Sequence, residues 1–127
     1  MPHAKSIRVL NRTNQTVVAE PARKADTFRS RLRGLLGSPE LAFSEGLLLV
    51  PSSGVHTLGM KYSIDIVALD KGLRVIGIWE SVGPGKVRGL GLGAHSVLEL
   101  KSGRARECGV ALGDQLHVQP VFTPQAV

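Results

Sequence analysis

The chain carries one cysteine, Cys108, which excludes an internal disulfide framework and suits a reducing compartment. Aromatic residues are nearly as scarce: three Phe, one Tyr and one Trp, scattered along 127 residues. Single-strand binders and RNA modules stack bases on aromatic platforms, and the sequence offers none. No apolar run approaches the length of a membrane span. The opening MPHAKSIRVLN has no apolar signal core followed by a small-residue cleavage site, so the reading is cytoplasmic. Motifs of several enzyme classes are missing as well. There is no G-x-x-x-x-G-K-[ST], no G-x-G-x-x-G between strand and helix, no G-x-S-x-G elbow, no Cys-x-x-Cys and no His-x-x-x-His. Nothing points to a nucleotide, a metal or another cofactor.

What is present fits one domain over residues 1–127, with short flexible ends at about 1–5 and 122–127. A hydrophobic fraction of 43% is ordinary for a chain that builds a core without staples. The net charge of +6 implies a weak attraction to polyanions. Four of those six excess charges fall in one stretch, RKADTFRSRLR, residues 23–33.

Periodicity predicts many short strands and one helix. Ser6–Asn11 reads as a strand, the residues to Asn14 as a turn, and Thr16–Ala19 as the returning hairpin arm. The helix is expected from about Asp26 to Leu36. Asp26 or Thr27 can cap it, Gly37 and Pro39 end it, and Phe28, Leu32, Leu35 and Leu36 form one apolar stripe. Arg29 and Arg33 flank that stripe on one side and are candidates for anion binding, although solvated edges with snorkelling stems are the plainer reading. Further strands are expected at Gly46–Val50, Val55–Met60, Ile64–Leu69, Leu73–Trp79, Ser96–Lys101 and Gln115–Val121. A tight turn at Asp70-Lys71-Gly72, a glycine-rich loop over 83–93 and a helical turn at Arg104–Cys108 separate them. The sum is a mainly β domain of about eight strands with one packed α-helix: a β-sandwich, a jelly roll or a small barrel.

The candidate chemistry is sparse. In the loop GPGKVRGLGLG, backbone amides with Lys86 and Arg88 are a candidate anion nest. His56 and Met60 suit a soft metal ion by type, but in an extended segment they stand about 13 Å apart, too far to chelate one ion. Asp65 shares a strand face with Val67 and Leu69, opposite Ile64, Ile66 and Ala68. Both faces are apolar, so the carboxylate needs amide or cation partners, or else is a pocket acid. Glu99, beside Val97 and Lys101, reads as a solvated edge residue, and His95 as a surface histidine. His56, Thr57, Met60 and Asp65 make up the candidate pocket.

The order RSRLRGLLGSPEL, EGLLLVP, VHTLGMKYSIDIVALDKGLRVIGI and SVLELKSGRARECGVALGDQL resembles the domain-of-unknown-function family one hundred and ninety-two, from about Val9 to Val118. The most specific pieces are the segment from Met60 to Asp65 and Asp70, the V-L-E-L-x-x-G at Val97–Gly103, and Gly113-Asp114. Gly59 stands where the commoner family pattern has a tryptophan, and Tyr62-Ser63 where it has Asn-Thr, which marks a divergent branch. The resemblance implies a compact β-sandwich or jelly-roll-like domain with one helix and implies no reaction.

The function expected from these readings is non-enzymatic binding of a small ligand or a protein partner. The rivals are a small enzyme using Asp65 with His56 or His95 for proton transfer, and a basic adaptor for an anionic partner.

Overall fold

Short runs of aliphatic and β-branched residues, broken by Gly, Pro, Asn and Asp, favour pleated segments over helices. The computed structural model describes residues 6–26 and 39–121, and nine strands form there. They are β1 (Ser6–Asn11), β2 (Thr16–Ala25), β3 (Gly46–Leu49), β4 (Gly54–His56), β5 (Ile64–Leu69), β6 (Val75–Val82), β7 (Val87–Gly89), β8 (Ser96–Lys101) and β9 (Leu116–Pro120). One short helix, α1 (Arg104–Glu107), is present among the described residues. The helix expected over Asp26–Leu36, with Arg29 and Arg33, lies outside the described residues but for Asp26.

Seven strands make one mixed sheet in the order β6-β5-β8-β3-β2-β1-β9, and β4 with β7 forms a separate two-stranded ribbon. Only β2 and β3 run parallel; every other neighbouring pair is antiparallel. The sheet curls until its two ends meet at a single bridge, Arg74 to Gln115. Flanking bonds from the Val75 amide to the Asp114 carbonyl and from the Leu116 amide to the Leu73 carbonyl, both 2.9 Å, hold that contact. The mainly β domain is therefore as expected, but the sheet stays open and is not a barrel.

Each face of this sheet carries its own core. The inner core takes residues from all seven strands, among them Val9, Val18, Leu48, Val67, Val75, Leu98 and Leu116, and Ala105 of α1 closes it. The outer core gathers Leu47, Leu49, Ile64, Ile66, Ala68 and Val97 under Leu41, Met60 and Leu90. Two cores explain why β5 and β8 are buried along almost their whole length: they are covered on both sides. β1 has one fully buried face, and its pattern alternates.

The Asp70 turn forms as its sequence predicts. Asp70 Oδ1 accepts the Gly72 amide at 2.9 Å and the Arg74 amide at 2.8 Å, the self-bonding that makes Asp a turn residue. Two segments differ from expectation. The extended run from Val55 stops at His56, because Gly59 adopts φ of 79° and the Met60 amide folds back to the Thr57 carbonyl. The glycine-rich stretch 83–93 is not only a loop, since Val87–Gly89 pairs with β4.

Candidate ligand-binding site

Asp65 sits at one end of the inner face, fully buried, with both oxygens occupied. Its Oδ1 accepts the Ser81 amide at 2.8 Å, and its Oδ2 accepts the amides of Gly103 and Ala105, both at 3.0 Å. Gly103 is the N-cap of α1 and has no side chain, so a carboxylate from a distant strand does the capping. Opposite Asp65, β6 carries an extra residue in its pairing with β5, and Ser81 there has φ of 50°. One carboxylate thus joins β5, the β6 bulge and the start of α1. This is the amide-partnered arrangement that a buried strand aspartate requires.

The other members of the candidate pocket lie elsewhere. Met60 packs in the outer core, on the opposite side of the sheet from Asp65. Thr57 is buried and ties the glycine-rich stretch down: its Oγ1 donates to the Gly83 carbonyl at 2.7 Å and accepts the Lys86 amide at 2.9 Å. His56 pairs with Val87 across the β4–β7 ribbon, and its buried Nδ1 has no hydrogen-bond partner among the described residues. His95 lies before β8 on a shallow cleft of about 320 Å³ with Pro51, Ser52, Ser53 and Ala94. In the glycine-rich stretch, the amides of Gly85, Lys86 and Leu90 bond to Thr57 and Ser53. The Arg88 guanidinium lies 5.4 Å from the centre of the Trp79 ring. Cys108 is buried, and burial pushes its thiol up, away from the thiolate a nucleophile needs. Among the described residues no three His, Cys, Asp or Glu side chains gather as metal ligands.

The residue misread from sequence is Glu99. It is not a solvated edge residue: only 2% of it is exposed, and β8 is the third strand of seven. Strand pairing defines its row. Trp79, Ile66, Glu99, Leu47 and Arg23 stand opposite one another across β6, β5, β8, β3 and β2. The carboxyl therefore rises between Ile66 and Leu47 on the outer face, and its buried Oε1 has no hydrogen-bond partner among the described residues. Burial pushes its pKa from 4.5 up to about 7. Tyr62, packed on the same core, is also raised, first by burial and then by the charges of Glu40 and Glu99, with Arg23 opposing. SVLELK itself offers only Val97 on the face that Glu99 shares with Lys101, a face that still reads as half-solvated, so the burial of Glu99 follows from strand order.

Trp79 closes the row at its β6 end. A Cβ on Gly77 would lie 2.6 and 2.7 Å from carbons of the indole, so the ring rests on the glycine and would have to shift for any larger residue. Gly77→Ala is expected to force the indole and its Arg88 partner outward and to cost ~2 kcal/mol. Chemical denaturation with Trp fluorescence measures both the loss and the displaced ring.

A family model, DUF192, described as "Uncharacterized ACR, COG1430", matches residues 9–118. The chain belongs to the DUF192 family. Two solved structures share the fold. One is a protein of unknown function from Novosphingobium aromaticivorans DSM 12444, with TM-score 0.76 and 21% identity, covering 88% of this chain and 83% of the other. The second is a "putative transcription regulator" from Sinorhizobium meliloti 1021, with TM-score 0.78 and 20% identity, covering 93% and 96%. No curated protein matches the chain. At these identities the likeness carries the DUF192 fold alone. Function has to be argued from this chain's own residues.

Proposed function

We propose that this DUF192 domain is a non-enzymatic binding module that receives a small, largely apolar ligand on the outer face of its sheet, with Glu99 as the polar anchor. One observation carries the reading: a carboxyl oxygen is buried among apolar side chains with no hydrogen-bond partner among the described residues. Leaving such a group unpaired costs a few kcal/mol, of the order of 1–3, so folded proteins rarely keep one without use. With a pKa of about 7, Glu99 can donate to a ligand carbonyl or accept from a ligand amine or hydroxyl. Met60 supplies an adaptable apolar wall and Tyr62 an aromatic one. Asp65 has no part in this site, because three amides already hold it. The free, buried Cys108 fits a reducing, cytoplasmic setting.

A thermal-shift screen of amines, amides, alcohols and carboxylic acids with aliphatic or aromatic bodies tests the proposal on wild type and Glu99→Leu. A compound class that raises the wild-type melting point and not the variant's supports it, since binding only the native state must stabilise it. Silence across the screen, or equal shifts in both proteins, overturns it. In the same screen His56→Ala is expected to keep the wild-type response, because His56 lies on the side of the ribbon opposite Val55, which packs on the outer core.

A further inference from the structure

The β4–β7 ribbon displays apolar side chains that the fold does not use. Val55 and Arg88 stand opposite each other on its inward side, Val55 against the outer core and Arg88 over Trp79. The next pair, His56 and Val87, lies on the other side of the ribbon, where His56 is half-buried and Val87 is 74% exposed. Leu58, at the turn beyond His56, is 48% exposed. Leu92 is wholly exposed, held at a tip between Gly91 and Gly93, whose φ values are 93° and 91°. Those left-handed glycines fix the turn, and no packing requires a leucine there.

The two segments that carry the ribbon have charge of one sign. Residues 51–64 and 81–98 contain no Asp or Glu and include Lys61, Lys86 and Arg88, all exposed. The Thr57 amide bonds to the Lys86 carbonyl, and the Gly85 amide to the Thr57 carbonyl, which places Lys86 beside the Leu58 turn. The Leu90 amide bonds to the Ser53 carbonyl at the other end, just before Leu92. Aliphatic tips spaced among cations, without acids, combine the two attractions that hold a protein on a membrane surface: insertion of side chains and attraction to anionic headgroups. A nucleic acid would satisfy the cations and leave the aliphatic tips in water.

We propose that the β4–β7 ribbon docks this protein on an anionic lipid surface, with Leu58, Val87 and Leu92 entering the interface and Lys61, Lys86 and Arg88 meeting the headgroups. The docking is peripheral; no helix among the described residues is long and apolar enough to cross a membrane. It stands independently of the Glu99 reading.

Co-sedimentation with phosphatidylglycerol–phosphatidylcholine vesicles, against phosphatidylcholine alone, tests it. The wild type is expected to bind the anionic vesicles, and added salt to weaken that binding. The pair Val87→Ser with Leu92→Ser should partition roughly tenfold less with an unchanged melting point, since neither side chain is buried. Lys61→Glu with Lys86→Glu should abolish the binding. Failure of the wild type to sediment with anionic vesicles overturns the proposal. So does equal partitioning of wild type and the serine pair, or binding to a single-stranded oligonucleotide that outcompetes the vesicles and ignores the serine substitutions.

Discussion

Between about pH 4 and pH 8 the wild type is expected to lose about 3 kcal/mol of stability that Glu99→Leu does not lose. The folded carboxyl titrates at about 7 and the unfolded one near 4.5. Between those values the folded chain holds a proton that the unfolded chain has released, so rising pH favours unfolding by ~1.4 kcal/mol per pH unit. Below the window both states are protonated and the penalty is absent. Above it both are ionised and the penalty is complete. Urea denaturation of both proteins across this range measures the difference, which cancels every group they share. Parallel profiles would mean that Glu99 is hydrated or paired in solution, and would remove the basis of the binding proposal. A variant that gains stability and loses ligand is the usual signature of a residue kept for function.

Asp65→Ala is expected to act in the opposite direction and to cost ~3 kcal/mol, because it strands the buried Ala105 amide and two part-buried ones at once. Those amides belong to Ser81, Gly103 and Ala105, so the damage should concentrate where the β6 bulge meets α1. Hydrogen exchange at these three amides is expected to accelerate more than exchange in β1 and β2. Asp65→Asn should fall between the two, since its amide nitrogen would face a backbone donor. Near-neutral stability on Asp65→Ala would show that the capping is dispensable and reopen Asp65 as a pocket acid. The comparison with Glu99 is instructive because the two acids sit on adjacent, neighbouring strands. Asp65 pairs with Leu100 and Glu99 with Ile66 in the same β5–β8 ladder, yet they face opposite cores. One is surrounded by amide donors and the other by hydrocarbon.

Docking on lipid and binding on the outer face involve opposite sides of the same ribbon. Val55 and Leu90 close it over the outer core, while Val87 and Leu92 point away.

Much of the architecture was legible in the chain because it rests on local rules. The alternation in Ser6–Asn11, the two-sided apolar run Ile64–Leu69 and the Asp70 turn depend on neighbours within a few residues, and each forms where the sequence places it. Asp65 was legible as a carboxylate in need of partners, because a strand with two apolar faces leaves it no water. Which partners it has was not, since Ser81 and Gly103 lie 16 and 38 residues away along the chain. The short strand Val87–Gly89 was hidden for a similar reason: three residues among glycines carry no period, and only pairing with Gly54–His56 makes them a strand. Glu99 turned on strand order. Beside Lys101 it resembles an edge residue, and only the placement of β8 between β5 and β3 buries it. The amino-acid sequence by itself determined the longer strands of the main sheet, the Asp70 turn and the need to satisfy Asp65. Tertiary structure decided the two cores, the neighbours of each acid and the face on which Glu99 was left without a partner, because burial depends on contacts between segments far apart in the chain.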